Sequence, residues 1–431
     1  MKPLIKVTLL TLVVFLPALV SGQETISLSD ALNKALLQNY SIHIVKRSQE
    51  VAETNNTWGA AGRLPTVGFS LSSNNRADFN EDRDYVMNGI TPGLSLNWLL
   101  FDGFAISITK EKLETFESLS QGYTSIVIEQ TIQSVIQAYY RVVLEKEKLA
   151  VVKEVMDLSR DRYDYTLMQK EIGSAVTYDV LQAQNAWLED KAGFMQQELT
   201  FRNAVRDLNF LMGVEGEQTY IFTEEFVAPR NEYVLETLQN KMLNSNKTLK
   251  NQYLNLMLRE KEIQLAKSMY FPALSLRSGL ESVTTRMNYK GLPAGTKQSY
   301  DLYANLALTF NLFDGGAKKR ALRIAQIQED AGQIETEEMK HSLTNELGKL
   351  YDLYQVREDL YNVSAENLDA AHLNMEISGD RFRAGTINSF NYRDVQLIYL
   401  NAATNKLNAV YNLIDTDTAL MRITGGIITE N

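Results

Sequence analysis

The chain contains no cysteine among its 431 residues. Disulfides, thiolate metal sites, a cysteine nucleophile and a lipid carried on a cysteine are all excluded. Histidine is nearly as scarce: His43, His341 and His372 are the whole supply. A histidine-rich metal centre is therefore not expected, and a catalytic triad would have to use one of these three. Basic charge is in deficit, with 43 Lys and Arg against 53 Asp and Glu and a net charge of −10. Phosphate recognition needs a basic face, so nucleic acid is not an expected partner. Beyond the N-terminal segment no run of 18 apolar residues occurs, which excludes a further transmembrane helix.

Proline is confined to seven positions: 3, 17, 65, 92, 229, 272 and 293. Residues 93–228 and 294–431 have none. Proline inside a helix costs ~3 kcal/mol, so two such tracts invite long helices. The intervals around Pro65–Pro92 and Pro272–Pro293 are instead rich in Ser, Asn, Thr and Gly.

Residues 1–22 read as a signal peptide. Lys2 and Lys6 precede the apolar stretch Val7–Leu16, then Pro17 and small residues, with Val20 and Gly22 fitting a cleavage site before Gln23. A short membrane anchor is the alternative, but the run falls short of the ~20 residues a spanning helix needs. Removing the two lysines takes the charge from −10 to −12.

The chain repeats itself. Ala61–Val67 resembles Ser268–Leu274 at an offset of 207, and Leu94–Gly103 matches Leu306–Gly315 at 212. The second offset then persists: Tyr139 falls on Tyr351, Gly173 on Gly385, Gln184 on Gln396 and Gly213 on Gly425. The change of offset lies in loops around Asn80 and Gly291. The expected organisation is a first repeat over 23–228 and a second over 229–431, joined near Phe226–Asn231.

Each repeat carries two alternating segments, about 64–76 and 90–101, then 271–284 and 300–313. Val67, Phe69 and Leu71 alternate with Gly68, Ser70 and Ser72; Leu306, Leu308, Phe310 and Leu312 alternate with Ala307, Thr309 and Asn311. Ten-residue segments with one apolar and one polar face suit transmembrane β-strands. Two hairpins on a soluble core are the alternative. Four strands cannot close a barrel and an open edge cannot stand in lipid, so spanning strands would require several chains to share one barrel.

Asp102 and Asp314 each follow a strand and read as N-caps of long helical hairpins, 103–213 and 315–425. Ile128, Ile132, Val135, Tyr139, Val142, Lys146 and Leu149 run at 4-3 spacing, the period of coiled-coil packing. A helix from about 104 to 172 would be ~100 Å long at 1.5 Å per residue. Gly173 and Gly385 are the expected points of reversal. No cofactor is expected and no catalytic constellation is found. Gly315–Arg320 lacks the Gly-Lys-Ser/Thr end of a phosphate loop. Asp157, Asp161 and Asp164, beside Arg160 and Arg162, read as a solvated face. Lys318, Lys319 and Arg320 read as a basic helix face or as contacts to anionic head groups. Asp179 and Asp394 lie just past the two reversals. In a symmetric oligomer they would form carboxylate rings that favour cations; the plain reading is two aspartates near helix starts.

The duplication, the strand ends Leu100–Gly103 and Leu312–Gly315, and the segments Gly173–Gln184 and Gly385–Gln396 together resemble the TolC-like outer membrane efflux protein family. The resemblance covers nearly all of the mature chain. It implies a mainly α protein with a β-barrel part: tandem long coiled-coil hairpins plus four transmembrane strands per chain. A homotrimer would complete a twelve-stranded barrel and an α-helical tunnel. It implies an outer-membrane location in a Gram-negative bacterium with a large periplasmic part, and contacts to outer-membrane lipid. A periplasmic adaptor (a membrane fusion protein) and an inner-membrane pump are the implied partners. The implied activity is a passive exit duct for drugs or other small solutes, with no enzymatic step. An exit duct for a type I protein secretion system and a non-pore periplasmic coiled-coil scaffold are the alternatives. Adaptor-docking tips would be Gly173, Ser174, Gly385 and Thr386. The pore constriction would be formed by Asp179, Asn391, Asp394 and Phe382. Asn391 stands where well-known members have Asp, Phe382 replaces a tyrosine and Ile387 an arginine, so the family's closing bonds cannot form in the usual way. Arg381, Arg383 and Arg393 are the candidates to substitute.

Overall fold

The computed structural model describes residues 24–79, 84–215 and 218–427. The expected signal peptide and the loop at Asn80 lie outside the described residues. In chain order the elements are β1 (Glu24–Ile26), α1 (Leu28–Gln38), α2 (Tyr40–Asn55), β2 (Thr66–Phe79), β3 (Asp84–Phe101), α3 (Ala105–Glu171) and α4 (Thr177–Met212). Then follow β4 (Tyr220–Phe222), α5 (Leu235–Ser245), α6 (Lys247–Ser268), β5 (Ala273–Tyr289), β6 (Gly295–Thr309), α7 (Ala317–Arg383) and α8 (Ser389–Ile423). Both α3 and α7 are 67 residues long, about 100 Å each at 1.5 Å per residue.

The long strands form one antiparallel sheet in the order β2-β3-β5-β6. They run further than the alternation alone indicates, because the polar hairpin ends continue the ladder past the apolar part. The register aligns side chains into rows. Phe69 faces Leu94, Leu94 faces Leu280 and Leu280 faces Leu302. On the opposite face Thr66, Asn97, Arg277 and Asn305 form a polar row, in which Arg277 Nε donates to Asn97 Oδ1 at 3.1 Å. Among the described residues nothing covers the apolar face: Phe69, Leu302, Leu306 and Leu308 are all largely exposed.

Below the sheet the helices repeat its order. α2, α3, α6 and α7 pack side by side near the strands, and α4, α3, α8 and α7 do so further down. α4 therefore continues the line of α2, and α8 that of α6. Two asparagines make these joints. Asn39 Oδ1 accepts from Ser41 N at 2.9 Å while its Nδ2 donates to Leu211 O at 2.8 Å. Asn246, its counterpart at offset 207, accepts from Leu249 N at 2.9 Å and donates to Ile423 O at 2.9 Å. Each side chain satisfies an orphan donor of one helix and an orphan carbonyl of another. Gly213 and Gly425 end α4 and α8 at φ +70°. A Cβ there would lie 2.4 Å from Gln38 O and 2.6 Å from Ser245 O, so both conformation and space demand glycine.

Around these joints sit two repeat-related cores. One contains Ile26, Ala31, Ala35, Val135, Tyr139, Leu208 and Phe222; the other contains Leu238, Met242, Leu347, Tyr354 and Leu420. Leu238 and Met242 correspond to Ala31 and Ala35. The first core also includes residues of β1 and β4, where Glu24–Ile26 pairs in parallel with Tyr220–Phe222. The strand-to-helix turns differ from expectation by two residues. The N-caps are Phe104 and Gly316, both with positive φ. Asp102 and Asp314 still cap, from further out: Asp102 Oδ2 accepts from Ile106 N at 2.9 Å, and Asp314 from Ala317 N and Lys318 N at 3.0 Å. Three residues separate β3 from α3 and seven separate β6 from α7, and in both a left-handed residue turns the chain back under the carboxylate.

Replacing Asn39 or Asn246 with Ala should each lower stability by about 1–2 kcal/mol, the cost of a lost cap plus a buried unpaired carbonyl. Thermal melts of the two variants measure this. Similar losses are expected from both, because the bonds are equivalent.

Candidate functional site: the groove between the helical reversals

The far ends of the two hairpins are built alike. Gly173 and Gly385 have φ of +81° and +70° with no atom near a prospective Cβ. Here only the backbone conformation calls for glycine. Ser174 N donates to Gln169 O at 2.8 Å and Thr386 N to Arg381 O at 2.9 Å, so each long helix ends in the same αL cap. The returning helices start differently. The Asp179 carboxylate accepts from Val176 N at 3.3 Å, whereas Asn388 Oδ1 accepts from Asn391 N at 2.8 Å. Asp179 is thus engaged on its own helix start, where a negative charge favours the macrodipole.

A groove of about 880 Å³ opens between the reversals, lined among others by Ser174, Asp179, Thr386, Arg162 and Arg393. Phe382 and Gly385 also border it. Asn391 and Asp394 are exposed on α8 but do not line it. Phe382 is 5% exposed and belongs to a core with Val155, Met375, Tyr392 and Tyr399. Its ring stacks on Tyr392 at 4.9 Å and meets Tyr165 edge-on at 5.1 Å. The structure therefore places Phe382 behind the surface that carries Asn391 and Asp394.

Arg162 is not on the solvated face where the sequence reading put it. Asp157, Asp161, Asp164 and Arg160 are exposed, but Arg162 is 4% exposed. Val155, Ser159, Arg162 and Thr166 are all buried and spaced 4-3-4, out of register with the 128–149 seam. Continuing that seam in strict 4-3 steps would have put Arg160, not Arg162, inside, so its spacing gave no signal for Arg162. Arg162 Nη1 donates to Ser389 O at 2.9 Å, while Nε and Nη2 have no partner. Burial, with Arg393 nearby, lowers its pKa to about 10.

Of the three candidate arginines, Arg393 makes the bond between hairpins. It grips Asp190 of α4 through two hydrogen bonds, 2.6 and 2.7 Å, with both side chains mostly buried. Arg383 pairs along its own helix with Asp380 at 3.5 Å, on the surface. Two further bonds tie α3 to the second hairpin: Tyr165 Oη donates to Arg383 O at 3.0 Å and Tyr399 Oη to Glu154 Oε2 at 3.0 Å. Burial first, then Glu154, pushes the Tyr399 phenol up to about 12. Among the described residues no cluster of three or more acidic, His or Cys side chains could hold a metal ion.

These features can be set beside known proteins. The sequence model of the outer membrane efflux protein family matches residues 31–214 and 238–426, one copy per repeat. The chain belongs to the outer membrane efflux protein family. Solved channels share the fold at low identity. The structure of CusC superposes with a TM-score of 0.75 at 15% identity, covering 93% of this chain and 92% of that one. The CmeC outer membrane channel of Campylobacter jejuni gives 0.73 at 16%, covering 94% and 87%. The open-state MtrE channel of Neisseria gonorrhoeae gives 0.72 at 15%, covering 93% and 89%. Protein CyaE of Bordetella pertussis is 29% identical over 128 residues; the match spans 30% of this chain and 26% of that protein. This outer membrane efflux protein is a conduit, not an enzyme. Its sheet is the barrel part and its helices the tunnel part of that fold.

Replacing Asp190 with Asn leaves the Arg162 and Arg393 guanidinia buried without their anion. Breaking such a pair costs about 3–5 kcal/mol. Hydrogen exchange at residues 172–176 and 384–388 should accelerate, and more so than in Arg393→Gln, which leaves Asp190 beside Arg162. Equal exchange in both variants would exclude this role for the pair.

The Tyr399 phenol stabilises the tip in its neutral form. Its contribution is complete below the ordinary tyrosine value of about 10 and disappears as pH rises from about 10 to about 12. Tip hydrogen bonding should therefore loosen over that window, and Tyr399→Phe should remove part of the pH dependence.

Proposed function

We propose that three copies of this chain close a twelve-stranded barrel over a helical tunnel, which passively conducts drugs or other small solutes outward. A periplasmic adaptor and an inner-membrane pump would deliver them. The observation that carries this reading is the sheet with two free edges. β2 and β6 are unpaired on their outer sides, and the strands alternate in direction across the order β2-β3-β5-β6. β6 of one copy is consequently antiparallel to β2 of the next, and the ladder can continue through the joint without reversal. An open edge in lipid leaves backbone groups unsatisfied at several kcal/mol each, so closure is obligatory. Two copies would give eight strands, a barrel whose interior side chains fill; three leave a lumen.

The helices below support the same joint. α2 and α4 form one lateral edge of the layer and α7 the other. The first edge exposes Ile44 and Val51 on α2, then Leu181, Leu188 and Met195 on α4, at sevenfold spacing. α7 exposes Ile327 and Ile334, then Val356, Leu360 and Val363. Two unpartnered apolar seams of coiled-coil period on opposite edges suit each other. In this assembly Ser174 and Thr386, with Gly173 and Gly385, stand at the adaptor-facing ends. Asp179, Asn391 and Asp394 surround the mouth, backed by the Phe382 core.

Mass measurement of the detergent-solubilised complex should give a trimer. In planar bilayers the channel should prefer cations, and Asp179→Ala with Asp394→Ala should weaken that preference without changing the mass. A conducting monomer would overturn the assembly. Unchanged selectivity in the double variant would move the constriction elsewhere and leave Asp179 as a helix-start residue only.

A further inference from the structure

The helical end of the sheet combines aromatic rings and cations in a way that neither conduction nor adaptor docking uses. Trp98 and Phe310 occupy equivalent positions in the two repeats, at offset 212, and both lie on the apolar face by strand parity with Leu94 and Leu306. A ring–cation pair lies close to each, built differently in the two repeats. In the first repeat Trp98 Nε1 donates to Arg63 O at 2.9 Å, and the Arg63 guanidinium lies 4.6 Å from the ring centre of Trp58. In the second repeat the Lys318 ammonium lies 5.3 Å from the Phe310 ring centre and 5.9 Å from that of Tyr270. Tyr270 is the counterpart of Arg63, and Lys318 the counterpart of Ile106. Sequence has diverged at both positions, yet each repeat keeps one cation packed on an aromatic ring at this level.

More positive charge follows. Lys319, Arg320 and Arg323 continue from Lys318 along the first turns of α7, a placement that the helix macrodipole opposes. Among the described residues, none of Arg63, Lys318, Lys319, Arg320 and Arg323 has a carboxylate within ion-pair distance; Lys318 and Arg320 donate to the carbonyls of Asn311 and Gly315 at 2.8 Å. Leu312 and Phe313, directly before this cluster, are 88% and 86% exposed. The whole chain is strongly acidic, so attraction to an anionic surface cannot come from its overall charge. We infer that this belt is a binding surface for anionic phospholipid head groups of the leaflet at the tunnel end of the barrel, with rings at the interface and cations on the phosphates. Interfacial rings sit at head-group depth, and each cation near an anionic lipid surface contributes independently. The inference rests on the strands lying in the membrane.

The test uses the full chain as its detergent-solubilised oligomer, stripped of lipid. Phosphatidylglycerol and phosphatidylethanolamine of equal acyl length are supplied separately, with inorganic phosphate as a third arm. Lipid retention is read by native mass spectrometry, and stability by the melting temperature of the oligomer. Phosphatidylglycerol should be retained in preference and should raise the melting temperature more. Lys319→Gln combined with Arg323→Gln should cut the preference about fivefold per removed charge and leave the lipid-free melting temperature unchanged. These two exposed side chains are chosen because Lys318 and Arg320 also hold the backbone and Arg63 packs on Trp58. Raising ionic strength should erode the preference. Equal retention of the two lipids, an unaltered preference in the double variant, or equal stabilisation by inorganic phosphate would each overturn the inference. Failure to retain either lipid would instead count against strands in a membrane, a separable result.

Discussion

Backbone hydrogen bonding at the sheet edges is the constraint on which the rest of the molecule depends. A single chain builds four strands, pairs the inner two fully and leaves β2 and β6 each with one unpaired side. In water such edges are a hazard; in hydrocarbon they are forbidden. The requirement for closure passes downward through the short turns after β3 and β6 into the helices, because strand order and helix order coincide. Once β6 of one copy meets β2 of the next, α7 must lie beside the α2–α4 line of that neighbour. The unpartnered apolar seams on those helices are then the packing consequence of a decision made in the barrel.

Duplication explains how one chain places four strands over four helical lines. Each repeat contributes a hairpin of strands and a hairpin of helices, and the joints between short and long helices are nearly identical at Asn39 and Asn246. The repeats are not interchangeable. Ala31 and Ala35 share their core with Ile26 of β1 and Tyr220 and Phe222 of β4, whereas Leu238 and Met242 share theirs with Leu347, Tyr354 and Tyr233.

Much of this was legible in the sequence. The strands, the long helices and the glycine reversals follow from alternation, missing proline and a repeated 4-3 seam, because each is a local periodic property. Three features were not. β1 and β4 are three residues each and depend on a partner about 200 positions away, so no local pattern announces them. The caps at Phe104 and Gly316 depend on a left-handed residue, and a phenylalanine gives no sign of adopting one. Arg162 was missed because the buried line of α3 changes register between Leu149 and Val155, and a buried guanidinium also runs against expectation for its residue type. Of the expected mouth residues, Asp179 and Phe382 share the groove, while Asn391 and Asp394 project from the adjacent face of α8; side-chain direction at a helix start could not be read without knowing where α8 begins.

The seam changes character along its length, and this bears on where the tunnel can open. At the level of the joints it carries Val135, Tyr139 and Val142, all fully buried. Near the reversals the buried line of α3 shifts register and carries Ser159, Arg162 and Thr166. Cohesion in the first region comes from apolar area, which is lost gradually and always at a cost. In the second a smaller core around Phe382 is joined by a few directional bonds, chiefly Asp190 to Arg393 and Arg162 to the start of α8. Such bonds can be exchanged for equivalent bonds to water or to a docking partner at little net cost. In the proposed duct the tips are therefore the end at which the two hairpins are held by the most exchangeable contacts.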